Sequence, residues 1–126
     1  MVLEQTEDIK KAVLNNNVPN EFGIYIISKV SESMKTIIYI GKAGSISNDG
    51  SPKKQGIKKR LVNLHGGVNR TEYFLKYMDI NQTSLLFEWY VTFNQSVKAL
   101  PAFVEAELIQ KFFDSHGKLP ELNKSF

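Results

Sequence analysis

Two short apolar segments between Glu21 and Gly41 constrain the fold more than any other part of the chain. The first carries Gly23-Ile24-Tyr25 and the second Tyr39-Ile40-Gly41, and the polar stretch between them predicts a β-hairpin. Side chains alternate across a strand, so we expect Ile24 and Ile26 of the first strand and Ile38 and Ile40 of the second on one face, packed on the core. A slip of one residue would turn a whole strand over, so Tyr25 and Tyr39 then share the opposite face.

Each of these tyrosines has a glycine two residues away. A glycine inside a strand weakens it and usually marks a bulge or a close approach by backbone or ligand. Gly23 and Gly41 would therefore leave bare backbone beside two phenols, which is typical of the floor of a site. The alternative is an ordinary sheet face that happens to carry two tyrosines, and the spacing alone favours that alternative.

The rest of the chain predicts one more strand and several helices. Apolar and polar residues alternate from Leu85 to Phe93, which is the clearest strand pattern in the sequence. Helical spacing and turn signals predict helices over about 6–14, 56–65, 71–80 and 98–113. Residues 43–55 have no periodicity and form a loop of a length that is either functional or disordered. This order predicts a single α+β domain over residues 1–126, with a three-stranded sheet flanked by helices.

Composition excludes several classes of function. The chain has no cysteine, which excludes disulfides and thiolate zinc sites and fits a reducing, intracellular compartment. We expect no membrane association, because no apolar run is long enough to span a bilayer and no signal peptide pattern is present. The net charge is only +3, but five cations fall within eight residues that contain no acid: Lys53, Lys54, Lys58, Lys59 and Arg60. Such a run is usually a solvated surface, and it is also what a phosphate backbone requires.

One glutamate of the last predicted helix faces inward. Helical spacing puts Glu105 within the apolar stripe that includes Pro101 and Ile109, whereas Glu107 falls on the opposite side. An unpaired inward carboxylate is costly and is normally paired, protonated or bound to a metal. Two interpretations of Glu105 stay open on geometry alone: a salt bridge to Arg60, or a functional role.

With these parts in order, the chain resembles the GIY-YIG nuclease family. Both tripeptides that give the family its name are intact, with thirteen residues between them. The segment Gly56–Leu61 resembles the family's arginine-bearing helix, which implies that Arg60 contacts the scissile phosphate through its guanidinium fork. Glu105 lies a few residues before Leu108-Ile109 and so resembles the family's metal-binding glutamate. The resemblance also implies an antiparallel sheet with the second hairpin strand at an edge.

Further residues match the family pattern to different degrees. Lys42 follows the second tripeptide directly, as in the family, and Asn123 resembles its Pro-x-x-Asn ending, which implies that the asparagine supports the site. His65 lies five residues after the arginine, whereas some members place an active-site histidine four residues on, so a helix-capping role is an equal alternative. The loop before Arg60 and the interval from Glu105 to Asn123 look longer than in the excision-repair branch of the family.

The resemblance implies a divalent-metal-dependent endonuclease that acts on DNA phosphodiesters. Glu105 is expected to hold a single Mg²⁺ or Mn²⁺, since one carboxylate suffices for a hard cation that keeps several waters. Tyr25 is the candidate to orient and deprotonate the attacking water, with Tyr39 hydrogen-bonding nearby and Lys42 assisting, although either tyrosine can be the base. Base recognition is expected from the Ser- and Lys-containing loop after Gly41.

Two other classes of function are compatible with the same sequence. A non-catalytic nucleic-acid-binding domain would keep the scaffold and the basic run, but would not need every expected catalytic residue type. A protein-interaction module would leave the inward Glu105 and the basic run without a role. DNA is the expected partner, and further DNA-binding domains or partner proteins outside this chain fit the pattern as well.

Overall fold

The computed structural model describes residues 1–4, 9–53, 56–62 and 70–126. In chain order its elements are β1 (Val2–Leu3), α1 (Ile9–Asn15), β2 (Phe22–Ser31), β3 (Met34–Ala43), β4 (Ser45–Ile46), β5 (Pro52–Lys53), α2 (Ile57–Val62), α3 (Arg70–Asn81), β6 (Ser84–Phe93) and α4 (Pro101–His116). The predicted start of the first helix, near residue 6, lies outside the described residues. The predicted end of the second helix, near residue 65, lies outside them as well. No helix in the described ranges is long and apolar enough to cross a membrane.

The main sheet is antiparallel and has the strand order β1-β6-β2-β3. The predicted α+β fold is thus confirmed, and β3 lies at an edge as expected. The prediction of three strands is wrong, because β1 adds a fourth through the pairs Val2↔Leu86 and Leu3↔Leu85. The terminal amine of Met1 also donates a hydrogen bond of 2.9 Å to the carbonyl of Phe87. A strand of two residues has no alternation to detect, which is why the sequence pattern missed it.

Both faces of the β2–β3 hairpin carry buried side chains, which corrects the expected division into a core face and a site floor. Tyr25 pairs with Gly41, and Tyr39 with Ile27, so the two tyrosines share a face as predicted. That face is the main core: Tyr25 is only 1% exposed and packs in one cluster with residues of α1, α2 and α3. The isoleucine face is covered by α4, which packs on β2 and β3.

A β-bulge moves one isoleucine away from the expected face. The register of β2 and β3 shifts so that Ile27 pairs with Tyr39 and Ser28 with Ile37, which leaves Ile38 as the extra residue. Ile38 is fully buried within the main core cluster instead of lying with Ile40 under α4. Because consecutive isoleucines look alike in a hydrophobic pattern, the sequence cannot reveal this shift.

The two glycines of the hairpin provide room for packing and do not form an open floor. A Cβ atom on Gly23 would lie 2.0 Å from the carbonyl oxygen of Tyr90, so this glycine permits a close backbone approach beside a bulge between β2 and β6. A Cβ atom on Gly41 would lie 2.6 Å from the Tyr39 ring and 2.7 Å from the Tyr25 ring. Gly41 is therefore bare backbone beside both phenols, as expected, but the two rings cover it, so this face is not an open site floor.

Gly41→Ala should destabilise the fold by about 1–3 kcal/mol, because the added methyl group overlaps both tyrosine rings and forces the core to repack. Urea denaturation measures the change as a lower midpoint. Gly50→Asn is the matched control, since Gly50 has a φ of 85°, which asparagine tolerates, and its Cβ position has no atom within 4 Å. Equal midpoints for both variants would contradict the proposed packing at Gly41.

The predicted loop after β3 is a small two-stranded arm, which we call the β4–β5 arm (residues 44–53). Ser45 pairs with Lys53 and Ile46 with Pro52. At its tip the Asp49 carboxylate accepts hydrogen bonds from the Ser51 amide at 3.0 Å and the Ser51 hydroxyl at 2.6 Å. The arm therefore has a defined turn, and it stands beside the end of β3.

Candidate active site

Three elements that are distant in sequence meet near the C-terminal end of β3. Lys42 belongs to β3, Arg60 to α2 and Glu105 to α4. The charges of Lys42 and Arg60 both act on the Glu105 carboxylate and lower its pKa. A pocket of about 200 Å³ opens beside Lys42, between the start of the β4–β5 arm and the first turn of α4. Residues identified separately in the sequence are thus brought into one electrostatic neighbourhood.

Glu105 and Glu107 face opposite sides of α4, as their spacing predicts. Glu107 is exposed and forms an ion pair with Lys111 at 3.4 Å. Glu105 is partly buried, and no basic side chain in the described ranges lies within ion-pair distance of its carboxylate. The predicted alternative of a salt bridge to Arg60 is therefore not found.

Burial has the largest effect on the protonation of Glu105 and raises its pKa above the usual value. The opposing effects are the Lys42 charge, the Arg60 charge and the backbone N–H of Lys42, in that order. Any added positive charge stabilises the ionised form of a partly buried carboxylate. This site can therefore accept a cation, a proton or a closer approach by Lys42 and Arg60.

The tyrosine pair has one hidden and one accessible member. The ring centroids of Tyr25 and Tyr39 lie 5.8 Å apart with an interplanar angle of 35°. The Tyr25 hydroxyl is buried and has no hydrogen-bond partner among the described residues, whereas Tyr39 is partly exposed. Tyr25 therefore does not present its hydroxyl on a site floor, because the core closes over it. Of the two tyrosines, Tyr39 is thus the one that is exposed to solvent.

Asn123 binds the open edge of β3 beside the site. Its Oδ1 accepts from the Ile40 amide at 3.0 Å, and its Nδ2 donates to the Ile40 carbonyl at 2.9 Å. The Leu122 amide likewise donates to the Ile38 carbonyl at 2.8 Å. The backbone N–H of Lys42 follows on the same edge and acts on Glu105. Asn123 thus fixes the strand that carries this donor, which is the geometry that a supporting role requires.

The helix that carries Arg60 is anchored at its start. The Ile57 amide donates to the Glu21 carbonyl at 2.8 Å, and the Lys58 amide to the Pro19 carbonyl at 3.1 Å. Close contact at Gly56 leaves no room for a side chain, since a Cβ there would lie 2.5 Å from the Asn20 backbone. Short contacts to the segment before β2 thereby set the position of α2.

The basic run is exposed where the structure describes it. Lys53 and Lys59 are exposed and Lys58 is partly exposed, whereas Lys54 and His65 lie outside the described residues. Arg60 is exposed, like Lys59. Its charge acts on the Glu105 carboxylate.

Glu105 suits a hard divalent cation that keeps several water ligands better than a metal that needs several protein ligands. The described residues contain no group of three or more His, Cys, Asp or Glu side chains that could hold an ion together. Glu105 supplies one partly buried carboxylate without an ion-pair partner among the described residues, on the helix whose first turn lines the small pocket. Mg²⁺ and Mn²⁺ bind through one or two carboxylates and keep several waters, so this donor set is compatible with either.

Sequence reasoning missed two contributors to this site. The backbone N–H of Lys42 acts on Glu105, and the Leu122 amide helps Asn123 to hold β3. Main-chain groups have no signature in a sequence, so only the fold reveals them. Comparison with known proteins adds nothing further: no family model matches the chain, and neither does any curated protein or solved structure.

Proposed function

We propose that the chain is a divalent-metal-dependent endonuclease of the GIY-YIG kind that hydrolyses DNA phosphodiester bonds. The observation that carries this proposal is that the charges of Lys42 and Arg60 both act on the partly buried carboxylate of Glu105. These residues come from three separate elements, and the sequence resemblance had named each of them independently. A structural role alone would be met by an ion pair, which Glu105 lacks among the described residues.

Each residue then has a distinct task. Glu105 would hold Mg²⁺ or Mn²⁺, which when bound neutralises charge at the phosphate and assists the leaving oxygen. Arg60 is exposed and permanently charged, so it would bind phosphate oxygens through its guanidinium. Lys42 would add positive charge close to the Glu105 carboxylate.

Tyr39 takes the role of contacting the attacking water. Tyr39 is partly exposed, whereas the Tyr25 hydroxyl is buried in the core. Tyr25 would act as a positioning residue, because its ring lies beside that of Tyr39 and both close over Gly41. Asn123 would position β3 through its two hydrogen bonds to Ile40.

A second candidate function is a nucleic-acid-binding domain without catalytic activity. The observation that favours it is the buried, unpartnered hydroxyl of Tyr25, since a family tyrosine used for catalysis would need access to water. This alternative keeps the exposed basic run and the anchored α2 but assigns Glu105 no metal.

Incubation of supercoiled plasmid with the protein and Mg²⁺ or Mn²⁺ separates these two functions. The enzyme should convert supercoiled DNA to the nicked form, and EDTA should prevent the conversion. A parallel preparation of Glu105→Gln controls for contaminating nucleases, because it is purified identically and should be inactive. A gel shift without cleavage of any form of DNA would favour the binding domain.

Replacing Lys53, Lys54, Lys58 and Lys59 by alanine should weaken DNA binding most at low salt. Each lost phosphate contact flattens the dependence of log affinity on log salt by about 0.9 on duplex DNA. The matched control replaces four exposed lysines elsewhere, namely Lys11, Lys76, Lys111 and Lys118. An unchanged slope in the first variant, or an equal change in the control, would move the DNA-binding surface away from the basic run.

A further inference from the structure

A second, larger cleft lies across the β4–β5 arm from Lys42. Its volume is about 570 Å³, and it separates the tip of the arm from the connection between β6 and α4. Phe22 and Phe93, which pair across β2 and β6, form part of its wall together with Pro52. We call it the Phe22–Phe93 cleft. Its volume is within the range of small-molecule sites, about 300–1,000 Å³.

The lining of this cleft combines aromatic rings with polar groups. Phe22 and Phe93 are both partly exposed, and the Lys98 amine lies 4.9 Å from the centroid of the Phe93 ring. Gln95 is exposed and makes no hydrogen bond with the described residues, so its amide can serve a ligand. The Glu21 carboxylate is held by the Asn94 amide at 3.0 Å and keeps acceptor capacity.

These groups match the surface of a nucleobase. Every base has an apolar π-face that stacks on aromatic rings, and an edge that exchanges hydrogen bonds with amides and carboxylates. The cation above Phe93 adds charge complementarity to the attached phosphate. A purely apolar ligand would make no hydrogen bond or charge contact with Gln95, Glu21 or Lys98.

The position of the cleft relates it to the candidate active site. The β4–β5 arm and the connection into α4 line both the cleft and the smaller pocket at Lys42. From Pro101, which lines that pocket, to Glu105 is one helical turn, or about 6 Å. The smaller pocket thus lies about one turn from Glu105 along α4, and the cleft borders the same arm and the same connection.

We propose that the Phe22–Phe93 cleft binds the base of one unpaired nucleotide of the DNA. A base inside a duplex is stacked and paired, so it can present both its face and its edge to this cleft only when it leaves the stack. The preferred DNA therefore contains unpaired nucleotides. This inference rests on the proposed nuclease function for its substrate, but it is tested by binding alone.

The experiment measures fluorescence anisotropy of dye-labelled DNA with the full chain in EDTA, so that cleavage does not interfere. Two duplexes of equal length are compared, one fully paired and one with a short unpaired segment. The wild-type protein should bind the second more tightly. Phe93→Leu should reduce that affinity by about 5- to 150-fold, the range for loss of one stacked base. Phe113→Leu, on the far end of α4, is the matched control and should retain it.

Lys98→Ala provides a second variant at an exposed position, where folding is not at risk. It should flatten the salt dependence on a single-stranded oligonucleotide by about 0.7, whereas Lys118→Ala should not. Equal affinity of the wild type for paired and unpaired DNA, or full retention of the preference in Phe93→Leu, would overturn the proposal. A preference for unpaired DNA without any cleavage in Mg²⁺ or Mn²⁺ would instead reject the nuclease and keep the cleft.

Discussion

Glu105→Gln is expected to abolish metal-supported cleavage while leaving DNA affinity nearly unchanged. The substitution keeps the shape of the side chain but removes the charge that a divalent cation needs. Nicking of supercoiled plasmid measures the first property and anisotropy with labelled DNA the second. A variant that still cuts with Mg²⁺ or Mn²⁺ would exclude Glu105 as the metal ligand.

Glu107→Gln is the matched control, because it makes the same chemical change two residues away. Glu107 lies on the exposed side of α4 and pairs with Lys111 at 3.4 Å. Exposed pairs of this kind contribute little to stability, so the variant should cut and unfold like the wild type. Equal loss of cleavage in both variants would point to a general effect of charge on DNA binding.

Glu105→Gln should also change how the stability of the folded protein depends on pH. Burial raises the pKa of Glu105 in the folded protein, so the folded state binds the proton more tightly than the unfolded chain. The contribution of this group is therefore most favourable below its unfolded pKa and is lost as the pH rises through the higher folded value. Glu105→Gln removes that loss, so without metal at neutral pH it should be as stable as the wild type or more so.

Melting curves of the two proteins from pH 4 upward, in EDTA, measure this contribution: the wild type should lose stability relative to Glu105→Gln as the pH rises. A buried ion pair would give the opposite sign, because removing one partner of such a pair costs about 3–5 kcal/mol. The absence of an ion pair at Glu105 among the described residues favours the first outcome. A large loss of stability in Glu105→Gln, with residual cleavage, would reject the assignment of Glu105 as metal ligand.

Tyr39→Phe should slow cleavage by about 10²–10⁴-fold, the usual range for loss of a general base, without unfolding the protein. Its partly exposed position is what assigns it this role. Tyr25→Phe removes a buried hydroxyl that has no partner among the described residues. It should therefore slow cleavage much less and leave the protein as stable or more stable.

Single-turnover cleavage rates and urea midpoints of both variants measure this contrast. A rate loss confined to Tyr25→Phe would show that the core opens during turnover and exposes the deeper phenol. Wild-type rates in both variants would make both phenols structural and remove the proposed base.

The limits of prediction from this sequence follow from what a pattern can encode. The register parity of Tyr25 and Tyr39 and the opposite orientations of Glu105 and Glu107 follow from periods of two and 3.6 residues, which side chains report directly. Which sheet face is more deeply buried depends on how the helices distribute over it. Three helices pack on the tyrosine face and α4 on the other, and no local pattern in β2 or β3 encodes that choice.

Features that depend on main-chain geometry could not be predicted from the sequence either. The bulge at Ile38 and the two-residue strand β1 leave no distinct pattern. Gly23 was correctly expected at a close approach, but its neighbour is the backbone at Tyr90 and not a ligand. The charges of the site were identified from residue type and position, whereas their convergence required the fold.

The two residues that hold β3 have a consequence beyond the site. An edge strand with free N–H and C=O groups is a template on which another chain can add a strand and begin to aggregate. Asn123 and Leu122 occupy these groups at Ile40 and Ile38. Loss of these contacts would therefore leave the edge strand of the hairpin open to self-association. Protection from misassembly and support of the candidate active site thus depend on the same few hydrogen bonds.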